Sequence, residues 1–148
     1  MASSWPRARL VKTADQAITA APSDIVWDAA TYDSHGGWDP TTPTDYVVRR
    51  GGLFWIAYAA IRGAPSASSG MWVALTVNGA IQSQAFAPTS TGTAAAYAAD
   101  QLYLAVGDIL RVSVAQTGAT TATLKWDPRA NGKTSNWLAL DRLGPTAN

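Results

Sequence analysis

Gly51-Gly52-Leu53-Phe54-Trp55-Ile56-Ala57-Tyr58-Ala59-Ala60-Ile61 is the stretch that decides the fold. The paired glycines punctuate the chain, and Leu53 to Ile61 then runs apolar with a period of two, which predicts a β-strand. One face carries Phe54, Ile56 and Tyr58; the other carries Leu53, Trp55, Ala57, Ala59 and Ile61. A strand on the solvated surface of a sandwich alternates apolar with polar, so a strand apolar on both sides is expected to be covered twice. One cover is the opposite sheet, and a partner subunit is the expected second. Upstream, Trp27, Asp33, Trp38, Tyr46 and Gly52 read as a ladder leading into this strand within one β-layer.

All ten acidic residues are aspartates. With no glutamate, and with Thr, Val, Gly and Pro abundant, the chain lacks the residues that favour exposed helix faces, which argues for an all-β domain. At 148 residues it fits a single domain, large enough to bury about 70% of the surface its unfolded form exposes. A net charge of +1 sets up no strong field toward nucleic acid or an acidic membrane. Arg7, Arg9 and Lys12 cluster and Arg49-Arg50 pair, but no basic stripe follows them. Without cysteine there is no disulfide, no thiolate zinc site and no cysteine nucleophile. The first twenty residues hold no continuous apolar stretch of the kind a signal peptide needs.

Short runs at sandwich spacing follow along the chain. Arg9 to Lys12, Gln16 to Ala20 and Ser23 to Trp27 are expected as the first strands, and Asp28 to Thr44 as a turn-rich connection. Tyr46 to Arg49 leads into the Gly51-Gly52 turn. Asn78-Gly79 sits between Met71 to Val77 and Ala80 to Phe86, and this pair favours a type I′ hairpin because both residues tolerate positive φ. Leu102, Leu104 and Val106 alternate up to Gly107-Asp108, and Leu110, Val112 and Val114 alternate after it, so Gly-Asp marks a turn. Thr121 to Trp126 and Trp137 to Leu143 complete a count of about ten strands. The alanine-rich stretch from Thr93 to Asp100 reads as a short helix, with a loop running into the next strand as the close alternative.

Antiparallel strands in this number with long connections favour a jelly roll. Gly52-Leu53-Phe54-Trp55-Ile56-Ala57-Tyr58 after an aromatic ladder, then Leu102-Tyr103-Leu104-Ala105-Val106-Gly107-Asp108 and a strand closing on Leu143-Gly144, resembles the C1q/TNF-like jelly-roll family across residues 9–144. The spacing departs from the usual C1q pattern by one extra residue between Trp38 and Tyr46. Trp27 and Tyr46 stand where phenylalanine is typical, and Phe54 and Ile56 replace tyrosine and phenylalanine. No collagen-like Gly-X-Y stem accompanies it. The resemblance implies a homotrimer packed around an apolar axis, lined by the strand face opposite Phe54, Ile56 and Tyr58. That makes Leu53, Trp55 and Ala57, joined by Tyr103 and Trp137, the expected trimer interface. The plain alternative is a Trp55 buried in a monomeric core.

Catalytic patterns are sparse. The single histidine, His35, follows Ser34 in a loop, whereas a triad needs its serine on a strained elbow and its base brought from elsewhere. Asp28, Asp33, Asp39 and Asp45 fall in one region, and turn capping is the expected role of all four. They lack the regular spacing of a calcium loop and are weaker candidates still for paired glycosidase carboxylates. No phosphate-binding loop is present. We therefore expect a protein that is not an enzyme and needs no cofactor. Seven tryptophans keep glycan stacking open, with Trp5, Trp38 and Trp126 the ones expected to face outward.

Residues 1–8 read as an N-terminal arm, 9–144 as the jelly-roll domain and 145–148 as a tail. Trp5, Arg7 and Arg9, in the arm and at the start of the domain, are the expected capsid-attachment residues. The expected function is a bacteriophage capsid decoration protein, made in the host cytoplasm, trimeric and bound to the major capsid protein, with neither nucleic acid nor membrane as partner. A tail-associated module that binds a host receptor or glycan is the first alternative, and a bacterial C1q-like binding domain the second.

Overall fold

The computed structural model describes residues 6–118, 120–125 and 136–145. Twelve strands alternate along them: β1 Arg7–Val11, β2 Gln16–Ile18, β3 Ser23–Asp24, β4 Ala29–Asp33, β5 Tyr46–Val47, β6 Gly52–Arg62, β7 Ser69–Val77, β8 Ala80–Ser90, β9 Ala94–Leu104, β10 Ile109–Gln116, β11 Ala122–Leu124 and β12 Trp137–Gly144. They form a seven-stranded and a five-stranded antiparallel sheet packed face to face. In the larger sheet β6 lies between β9 and β12, β12 continues to β1 and β4, and β11 and β2 extend the end of β6. In the smaller sheet β10 lies between β7 and the short β3 and β5, and β8 is the far edge.

The period-two reading of β6 holds on its inner face. Phe54, Ile56 and Tyr58 are at most 1% exposed and pack against Met71, Val73 and Leu75 of β7 and Leu110, Val112 and Val114 of β10 in one core. Tyr58 spans the two layers, its hydroxyl 2.9 Å from Ser83 Oγ on β8. The Asn78-Gly79 turn joins β7 to β8 with φ of 52° and 84°, as the hairpin reading requires. Gly107 (φ 92°) and Asp108 form a turn as expected, with Asp108 Oδ2 accepting from the Ala105 amide at 2.8 Å. This turn carries the chain from one sheet to the other.

Four expectations are corrected. The Trp27–Tyr58 ladder does not lie in one layer, because β4 and β6 belong to the larger sheet while β5, bearing Tyr46, pairs with β10. Residues 93–100 form neither helix nor loop. From Ala94 onward they are the first half of β9, paired along the whole of β6, because burying the edge of β6 outweighs the helix preference of alanine. The connection from Asp28 to Thr44 contains a further strand, β4, paired with β1. Finally, Arg7 and Ala8 are not part of an arm. Both pair with β12, and Ala8 is fully buried.

Candidate self-association face

The outer face of the larger sheet is built by strand register. On β6 the outward side chains are Leu53, Trp55, Ala57, Ala59 and Ile61. Across the β9 ladder they meet Tyr103, Gln101, Ala99, Tyr97 and Ala95 in turn. On the other flank Asp141 lies opposite Trp55, Ala139 opposite Ala57 and Trp137 opposite Ala59. All five expected interface residues, Leu53, Trp55, Ala57, Tyr103 and Trp137, therefore share one face.

The face has relief. Tyr97 is 78% exposed, Tyr103 61% and Trp55 37%, whereas Ala57, Ala59 and Ala139 are buried beneath their taller neighbours. Alanines thus floor a groove whose walls are aromatic. Ala57 is floor and not a projecting contact, and Trp137 is half-buried with the Arg9 guanidinium 5.3 Å above its ring. Tyr97, the most exposed aromatic on the face, carries no sequence signal of its own, because the alanines around it do not announce a strand. Counting back by twos from Tyr103 would have found it.

Toward β1 the face turns polar. Arg7 lies 5.3 Å over the Tyr32 ring and pairs with Asp141 at 2.7 Å. Hydrogen bonding to Asp141 raises the Arg7 guanidinium above its ordinary value. Arg7 and Arg9, expected as attachment residues, are thus tied to the rim of this face. Trp5, the third, lies outside the described residues, as does Trp126. Trp38 does not stand out as a stacking platform. It leans on the core, and its Nε1 donates to the Pro43 carbonyl at 3.2 Å.

Asp28, Asp33 and Asp39 act as caps, as expected, whereas Asp45 caps no backbone amide among the described residues and is held by side chains instead. Asp33 accepts from the Trp38 amide at 2.9 Å, Asp39 from Thr41 N at 2.8 Å, and Asp28 from Thr13 N at 2.8 Å and from Lys12 Nζ at 3.2 Å. Asp45 takes a two-pronged contact from Arg111 at 2.6 and 3.1 Å. Ser34 Oγ and His35 Nδ1 are 2.9 Å apart, but the same hydroxyl accepts from Arg7 N at 2.9 Å, fixing the end of β4 against β1. No group of three or more acidic or histidine side chains is placed to hold a metal ion among the described residues.

No protein-family model and no curated protein matches the sequence. Solved structures do match the fold. Murine APRIL at pH 5.0 superposes with a TM-score of 0.68 at 15% identity, covering 94% of this chain and 99% of its own. The Eiger TNF of S. frugiperda gives 0.68 at 16% identity, with 97% and 96% covered. The globular domain of zebrafish complement 1qA gives 0.68 at 6%, with 96% and 99% covered. The chain therefore has the TNF/C1q jelly-roll fold over nearly its whole length.

Proposed function

We propose that this protein is a non-enzymatic assembly module that works as a homotrimer, joined through the outer face of its larger sheet. The observation that carries the reading is the aromatic-walled alanine groove on that face. Exposed Tyr97, Tyr103 and Trp55 around a floor of small side chains form a mainly apolar surface, interrupted by Gln101 opposite Trp55, of the kind that marks an interaction site. Small residues in the floor let a partner approach closely, and aromatics supply most of the energy at such contacts. The Arg7, Asp141 and Arg9 rim fits the polar border of an interface. In light scattering after gel filtration the chain should run near three times its 15.5 kDa mass; a monomer at micromolar concentration would overturn the reading.

We place the trimer on a bacteriophage virion as a capsid decoration protein, its first residues reaching the shell. Because Arg7 and Ala8 are strand residues, the attachment element shortens to residues 1–5, with Trp5 as its apolar anchor. A chain lacking residues 1–5 should remain trimeric but fail to co-sediment with capsid shells. Co-sedimentation equal to that of the full chain would remove the arm. The tail-module alternative is favoured by one feature, the 67% exposed Phe86 paired across the β7–β8 ladder with Trp72, on the outward face of the smaller sheet. A sugar could stack there while the trimer face is occupied. Copy number separates the two settings, many per virion for a decoration protein and few for a tail tip.

A further inference from the structure

The inner phase of β6 runs Phe54, Ile56, Tyr58, Ala60 and then Arg62, so a guanidinium enters the sandwich interior at the end of an otherwise apolar row. Arg62 is fully buried. Its Nη1 donates to the carbonyls of Gly63 (3.2 Å) and Gly92 (3.0 Å), and its Nη2 to the Ser69 carbonyl (2.6 Å) and Ser90 Oγ (3.4 Å). Every one of these acceptors is neutral. The ion pairs among the described residues leave Arg62 out, and its Nε has no partner. Burial alone displaces its pKa, downward, with no carboxylate opposing it.

The polar groups facing this end from the other sheet are orphaned as well. Gln116 continues the inner row of β10 after Leu110, Val112 and Val114. It is 3% exposed, and neither its Nε2 nor its Oε1 has a partner. Ser69, 2% exposed, opens β7 and also has an unpartnered hydroxyl. The three residues belong to one corner: Arg62 bonds the Ser69 carbonyl, and Gln116 pairs with Met71, two residues beyond Ser69. A buried charge without a counter-charge, with unpartnered polar side chains on the neighbouring strands, is an unstable arrangement in a low-dielectric interior.

We propose that this corner is an internal binding site for a small monovalent anion, chloride in the first instance, with Arg62 supplying the charge. The Arg62 Nε–H, the Ser69 hydroxyl and the Gln116 amide NH₂ are all donors, the set an anion takes. Complete burial limits the guest to a small ion, which excludes sulfate and phosphate. Gln116 Oε1 is left to a water that accompanies the ion. The site lies inside the sandwich, away from the self-association face, so its test is independent of trimer formation.

Thermal unfolding of the full chain is measured in sodium chloride exchanged against sodium gluconate at constant ionic strength. The unfolding temperature should rise by about 4 °C for each tenfold increase in chloride above the dissociation constant. Ser69→Ala and Gln116→Leu should weaken the response and Arg62→Met should abolish it; if Arg62→Met does not fold, the other two variants carry the comparison. Crystals grown in bromide should show an anomalous peak beside Arg62. Equal unfolding temperatures in chloride and gluconate, a response that all three variants retain, or a corner without a bromide peak would each assign the orphaned donors to water and overturn the proposal.

Discussion

Gly52 adopts φ of +151°, and a Cβ built on it would overlap the Gly144 carbonyl oxygen and the Arg142 side chain, which donates from Nε to the Gly51 carbonyl at 2.8 Å. The glycine is required both for its backbone conformation and for the close approach of β12 to β6. Gly52→Ala should lower stability by about 2–3 kcal/mol, read as a fall in the urea midpoint with an unchanged slope. Asp45 offers a pH test at the same scale. The hydrogen bonds from Arg111 hold its carboxyl below the ordinary value of 3.8, with burial opposing. The folded state thus binds this proton more weakly than the unfolded state does. Its stabilisation is complete above pH 3.8 and is lost as pH falls through the lower folded value. Asp45→Asn should reduce stability at neutral pH and flatten the acid limb of the urea midpoint plotted against pH. An acid limb identical to that of the parent protein would show that Asp45 does not contribute.

At the scale of elements, β6 and the β7–β8 hairpin were legible because each carries a local signal that agrees with its tertiary role. For β6 that signal is two apolar faces with a glycine start. For the hairpin it is Asn-Gly between alternating runs. Only the second half of strand β9 was legible, through Leu102 and Leu104, because Ala94–Ala99 has no β-branched residue to announce a strand and pairs only because β6 offers an edge. Strands β4 and β5 were obscured for another reason: they are short and bounded by Asp33, Gly36-Gly37 and the prolines of a turn-rich segment. The hairpin also contributes more than its own turn. Asn78 Nδ2 donates to Asp108 Oδ1 at 2.9 Å, and Asn78 Oδ1 accepts from the Ile109 amide at 2.9 Å, so one side chain ties the β7–β8 turn to the start of β10. Asn78→Ala loses both bonds and places alanine at φ of 52°. It should cost about 2 kcal/mol in chemical unfolding, with Asn78→Gly recovering only the backbone part.

For the whole molecule, the five residues expected at a trimer interface share one face because register in an antiparallel sheet is set once the strand phases are known. What sequence left out was the relief of that face, since burial of Ala57 and exposure of Tyr97 depend on which side chains stand beside them across β9 and β12. The relief makes the trimer testable without naming any partner. If three copies bury these aromatics against one another, folding and association are linked by mass action, and the unfolding temperature must rise with protein concentration. Tyr97→Asp with Tyr103→Asp puts two carboxylates where the partner surface would remove water, so the double variant should sediment as a monomer. Both tyrosines project from the sheet and are largely exposed in the single chain, so the monomer should keep its β-sheet circular dichroism. Its unfolding temperature should also lose its concentration dependence, while the parent retains it over a hundredfold dilution series. If the parent's unfolding temperature is flat across that series, the groove is not the assembly surface, and the double covering inferred from Leu53 to Ile61 fails with it.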